Sequence, residues 1–212
     1  MKEKEKMYLI FAIIAFSLPP SDGPIIGIFL QKKQKLEPMQ FAFAESLAFV
    51  AVCASSILYN KYLRKISHVR VITITSLLSL LFPWLNIMFG RKVIQPDAST
   101  FLNITSVSGA FFGHISFLPF AVMAAKFSPA NIEATMYSFY MALFNLCSVI
   151  SYSLSSIVIR AMKIHDYESQ NIWYFYIMDI SLDLLSIYFV QKFIAKSMKT
   201  SLAKLNRSQE DQ

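Results

Sequence analysis
Charge is scarce in this chain, and so is glycine. Charged residues make up 16% of it, where a soluble domain carries about 25%. Only 5 of its 212 residues are glycine, which excludes a collagen-like repeat. Its two cysteines, Cys53 and Cys147, cannot build a disulfide framework in a chain this long. Neither stands at a metal-type Cys/His spacing, so no metal and no cofactor are read. No glycine-rich phosphate loop is present, which excludes an ATP-driven pump within the chain. No nucleophile–base pairing rises above chance, and no enzyme activity is read.

What is abundant is apolar. Hydrophobic residues make up 55%, with 19 Phe, 10 Tyr and 10 Met, and the mean hydropathy is +0.48. This excludes disorder and coiled coil. The formal net charge of +7 would suit a nucleic-acid binder, but the basic residues flank long apolar runs. There they face lipid headgroups, so the partner read is the bilayer and not nucleic acid.

A helix crosses the hydrocarbon core with about 20 apolar residues. Six segments qualify, at roughly 7–30, 40–59, 71–89, 101–125, 133–159 and 172–195. They leave a charged end at 1–6 and a polar tail at 197–212, frayed or lying at the interface. The runs are too long for strands and lack two-residue alternation. In lipid the backbone must satisfy its own hydrogen bonds, so the spans are helices. The fold class read is an all-α integral membrane protein with six transmembrane helices. The first run is not a cleaved signal peptide, because Pro19 and Pro20 stand where small residues belong.

Six spans put both termini on one side. Thirteen of the 20 Lys and Arg then lie on that side, including Lys61, Arg64, Lys65, Arg70 and Lys126, and seven on the other. This bias places both termini in the cytoplasm. Tyr59, Tyr62, Trp84, Trp173 and Tyr174 fall near span ends, as an aromatic belt does. The triplet Asn103-Ile104-Thr105 has the form of a glycosylation site on the outer side, but it lies too near the fourth span for use.

The stretch Phe117-Leu118-Pro119-Phe120, then Ala124-Ala125-Lys126-Phe127-Ser128-Pro129-Ala130-Asn131-Ile132-Glu133-Ala134-Thr135-Met136-Tyr137, then Asn145, resembles the signature of the folate–biopterin transporter family. That pattern has a proline-containing helix ending in paired alanines, a proline loop, Glu-Ala-Thr opening a helix, and an Asn about three turns on. The resemblance covers most of 7–160 and fades in the last span. It departs at Asn131, where the family has Gly. Asn is the next most tolerant residue for a left-handed turn.

The resemblance implies a major-facilitator carrier of twelve helices in two halves, with the signature in the second half. The chain then reads as the C-terminal half, and 1–6 as the end of a central linker. The implied function is secondary transport of folates or pteridines, driven by protons, with a second half or a copy of this chain as partner. Two alternatives stay open at this stage. One is a truncated or half-size membrane protein that has no transport of its own and serves as a helical partner. The other is a carrier of a different organic solute.

Candidate site residues follow from cost. A charge at the centre of a span costs about 2.5–3.5 kcal/mol on insertion scales. Asp22 follows Pro19-Pro20-Ser21, where prolines break a helix and a carboxylate can line a transport cavity or cap the restart. Glu45 lies a turn into the second span. Asp179 and Asp183 are four apart on one face. Two carboxylates so close in low dielectric do not both ionise easily, which suits proton carriage; a polar stripe toward the missing half is the plainer account. His114 sits mid-span and can titrate or hydrogen-bond a heterocycle, or simply pack. Asn145 bonds another helix or touches substrate. Gly109 and Gly113 have the Gly-x-x-x-Gly spacing of close helix packing. Ser128 and Pro129 read as an N-cap and first helical residue, with Glu133 in the opening turns. The functional version makes Glu133 a gate paired with Lys126 or a cation of the 59–70 loop.

Overall fold
The computed structural model describes residues 2–21, 23–32, 34–128, 131–164 and 172–210. Among them every regular element is helical: α1 (Lys2–Ser17), α2 (Gly23–Lys32), α3 (Pro38–Lys61), α4 (His68–Ser79), α5 (Leu81–Gly90), α6 (Ala98–Phe127), α7 (Glu133–Ala161) and α8 (Ile172–Glu210). A 3-10 turn at Leu63–Lys65 joins α3 to α4. Four stretches of the described residues are long and apolar enough to cross a bilayer: Pro38–Lys61, His68–Gly90, Ala98–Phe127 and Glu133–Ala161. They match the second to fifth expected spans and make this an integral membrane protein.

The first and sixth expected spans are not among these four, and the third is one span with an interruption inside it. The run 7–30 is not one rod, since α1 stops at Ser17 and α2 restarts at Gly23. Pro19 and Pro20 lack the N–H groups that would continue the ladder. The run 71–89 is interrupted at Leu80. Pro83 removes the donor that would bond the Ser79 carbonyl, and α5 begins afresh. The run 172–195 continues as helix to Glu210, through the segment read as a polar tail.

Helix ends follow local rules. Asp97 caps α6, its carboxylate accepting from the Ser99 and Thr100 N–H groups at 3.1 Å each. Pro38 opens α3 at a position where its missing N–H costs nothing. At the end of α7, the Lys163 N–H bonds the Arg160 carbonyl and the Ile164 N–H bonds the Ile159 carbonyl. This is the paired closure usually built on glycine, yet Lys163 supplies the left-handed residue at φ 54. Lys92 does the same after α5 at φ 58. Asn131 adopts φ 80, the left-handed conformation expected where the family pattern has Gly.

Packing is organised around α6, against which α3 and α4 lie, while α1 lies on α8 and touches α7. The buried residues of α3 are Ala44, Ala48, Ala51, Ser55 and Tyr59. Spaced by three or four, they form one stripe of mostly small side chains that lets α3 approach α6 closely. Two apolar cores sit at opposite ends of the bundle. One gathers Phe29, Leu30, Ile87, Phe89, Phe101 and Tyr176, with Phe89 stacked on Phe101 at 3.9 Å between centroids. The other gathers Leu9, Ile13, Ile72, Phe120, Tyr140 and Val190.

Candidate functional site
The space between the two cores is polar. On α1, Phe16 lies between Ile13 of one core and Phe29 of the other across the break. On α4, Ser76 and Ser79 lie between Ile72 and Ile87. On α6, Gly113 and Ser116 lie between Leu102 and Phe120, and on α8, Asp183 and Ser186 lie between Tyr176 and Val190. These residues line one cavity of about 140 Å³. Three of these helices, α4, α6 and α8, thus present polar groups at the same height, with Phe16 of α1 beside them, where a wholly apolar layer would be the cheaper arrangement.

The layer is held by hydroxyls. Ser116 Oγ donates to Thr75 Oγ1 at 2.6 Å, tying α6 to α4. Below it, Gln191 Nε2 donates to Thr73 Oγ1 at 2.9 Å, tying α8 to α4. The broken helix is repaired from two sides. Pro19 leaves the Ala15 carbonyl without its helical donor, and Ser186 Oγ donates to it at 2.6 Å. Ser151 Oγ donates to the Pro19 carbonyl, and the Ser21 N–H donates to Ser155 Oγ at 2.8 Å. Serines of α7 and α8 supply what water supplies in a soluble protein. The Ser76 hydroxyl is buried with no partner among the described residues, so it is a spare donor facing the same cavity as Asp183.

Size limits what the cavity can hold. About 140 Å³ has room for several waters, but pockets for drug-sized ligands run to about 300–1,000 Å³. It suits protons, water and small ions. A larger solute must lie outside it, against the open faces.

His114 stands one residue from the cavity-lining Gly113. Its Nδ1 is 2.8 Å from Ser55 Oγ on α3. The Ser55 hydroxyl donates to the Val52 carbonyl at 2.7 Å. With its one proton used there, the oxygen accepts from Nδ1–H and leaves Nε2 as an acceptor. Beside it, Phe117 meets Phe144 edge-on at 5.1 Å, and Phe144 also meets Phe16 and Phe120. An aromatic cluster therefore bridges α1, α6 and α7 next to the imidazole.

The model of the BT1 family matches residues 6–209. The chain belongs to the BT1 family. Among curated proteins, this BT1 chain is 26% identical over 210 residues to "Folate transporter 1" of Plasmodium falciparum, covering 95% of this chain and 40% of that protein. It is 25% identical over 164 residues to "Folate-biopterin transporter" of Synechocystis sp., covering 76% of this chain and 33% of that protein. The chain thus spans well under half the length of these relatives, which are transporters and not enzymes. No solved structure matches.

The sequence-read residues of the BT1 chain fall into three groups. Asp183 and Gly113 are brought together in the cavity. Asp179, one turn before Asp183 on the same helix, is buried at 2% exposure. His114 adjoins the cavity. Glu45 and Asn145 are exposed on α3 and α7, the two least covered of the four candidate spans. Asp22 and Pro129 lie outside the described residues.

Three expectations are corrected. Ser128 does not N-cap α7; it closes α6, its Oγ donating to the Ala124 carbonyl at 2.7 Å. Ile132 holds the N-cap position of α7 and gives no side-chain bond, so Glu133 opens the helix itself. Among the described residues no ion pair joins Glu133 to Lys126 or to the loop before α4. The Gly109–Gly113 pair makes no close approach within this chain, because a Cβ at either would meet nothing within 4 Å. The tight seam is the Ala44–Ala48–Ala51–Ser55 stripe of α3. Its spacing was there to be read, as was the Ser151–Ser155 pair. Serine and alanine simply carry no charge to draw attention.

Proposed function
We propose that this BT1 chain forms a six-helix half of a secondary carrier for folate- or pteridine-type organic anions, coupled to protons. The observation that carries the reading is the Asp183 carboxylate in a small polar layer, flanked by apolar cores and by two interrupted helices. Discontinuous helices around a midplane polar site are a recurring design of alternating-access carriers. A carboxylate is a group that can take up and release a proton at such a layer. Asp179 offers a second acceptor one turn away. The ring system of the solute stacks against Phe117 and Phe144, with a ring donor on His114 Nε2. Glu45 and Asn145 belong to the wall facing the companion half. The relatives' names supply the solute class, and the Lys and Arg bias supports cytoplasmic termini.

Asp183→Asn tests this in the assembled carrier. Uptake is expected to lose its pH dependence, and adding Asp179→Asn is expected to remove any remainder. The unfolding temperature is expected to change little, because Asp183 is only part-buried and asparagine keeps its shape. Unchanged pH dependence in the double variant overturns the coupling role.

A further inference from the structure
A second cavity lies at the opposite end of α4 from its break. It encloses about 530 Å³ between the α3–α4 connection and the end of α6. Arg64 and Lys65 reach it from the 3-10 turn, Lys126 from α6 and His68 from the first residue of α4; no carboxylate lines it. Among the described residues none of the three cations makes an ion pair. The His68 Nδ1 is buried and has no hydrogen-bond partner among them. Ser67, at the N-cap of α4, gives no side-chain bond to the first turn, so those N–H groups keep their positive end toward the cavity. Unpaired cations gathered from separate elements of the chain repel one another, and the arrangement is relieved by an anion.

We infer that this cavity binds a phosphate group. Guanidinium and ammonium donors match phosphate oxygens with strong charge-assisted bonds, and a helix N-terminus adds fixed dipoles. The site is separate from the polar layer: Ser76 lies two turns along α4 from His68, and Gly113 lies more than three turns along α6 from Lys126. It therefore does not depend on which solute the carrier moves. The phosphate can come from an anionic lipid headgroup, for which basic pockets between transmembrane helices are a known type of site, or from free phosphate in solution.

The experiment uses the full chain in detergent and follows unfolding temperature against three additives: short-chain phosphatidate, short-chain phosphatidylcholine and inorganic phosphate. A concentration-dependent rise is expected with phosphatidate, with inorganic phosphate, or with both, and none with phosphatidylcholine. Phosphatidate alone identifies the headgroup as source; inorganic phosphate acting as well identifies a free-anion site. Arg64→Gln with Lys126→Gln is expected to weaken the apparent affinity by about tenfold or more, and Lys126→Arg to retain it. Lys92→Gln, at the other end of the bundle, is expected to change nothing. Should the double variant not fold, acetylation of the wild-type chain gives the same answer: ligand is expected to protect Lys65 and Lys126 and not Lys92. No rise with either phosphate, an undiminished rise in the double variant, or equal protection of Lys92 overturns the inference.

Discussion

Ser186 shows how single residues carry the architecture. Its hydroxyl serves the Ala15 carbonyl that Pro19 orphans, and its side chain also borders the cavity. Ser186→Ala is expected to cost about 1–3 kcal/mol, the range for a buried acceptor left unsatisfied. Thermal unfolding in detergent would show it, with Ser181→Ala on the exposed side of α8 as a near-neutral control. A second prediction concerns the lysines that close helices. Lys163 holds φ 54, a conformation that costs an L-residue roughly 1–2 kcal/mol and glycine little. Lys163→Gly is expected to stabilise the chain by about 1 kcal/mol in the same assay. At this scale the sequence was partly legible. Asp183 stood out because a carboxylate in an apolar run is expensive. Ser76, Ser79, Ser116 and Ser186 did not, because a serine in a membrane helix can always bond its own preceding turn.

Among elements, α3 and α6 give the sharpest contrast. The sequence pointed to Gly109 and Gly113 of α6 as the seam, whereas the close contact uses Ala44, Ala48 and Ala51 of α3. Ala48→Leu is expected to overpack that contact and cost about 1–3 kcal/mol. Gly109→Ala, at an open position, is expected to stabilise its helix by roughly 0.5–1 kcal/mol. The reverse ranking in unfolding experiments would restore the glycine seam. Element existence was legible wherever about 20 apolar residues ran together. Interruptions were only half legible. The Pro19–Pro20 break was visible as paired prolines, but the one at Leu80 was not, since a single proline inside a membrane helix can pass without a break. Pro119 does so within α6, which continues to Phe127.

At the level of the whole molecule, α3 and α7 leave polar and apolar groups on their outer faces together. Phe43, Phe49 and Ile57 are exposed on α3 alongside Glu45, and Leu146 and Val149 on α7 alongside Asn145. Lipid suits the first kind and not the second. Under the proposed reading, a companion bundle covers the polar positions. The purified chain, reconstituted alone as a monomer in liposomes, is expected to give no uptake, and co-reconstitution with a companion half is expected to restore it. Robust uptake by demonstrably monomeric chains overturns the half-carrier proposal. If companion halves do not restore uptake, a partner subunit without transport of its own replaces the half-carrier reading.

The repaired break in the first rod has a consequence for how the protein is made. The ribosome delivers Pro19 more than a hundred residues ahead of the hydroxyls that complete its backbone, those of residues 151, 155 and 186. Until those arrive, the opening helix carries bare peptide groups at membrane depth, where nothing else in lipid can meet them. The broken rod is therefore completed only after the two later helices that repair it have been made, and its stability comes late relative to its own synthesis.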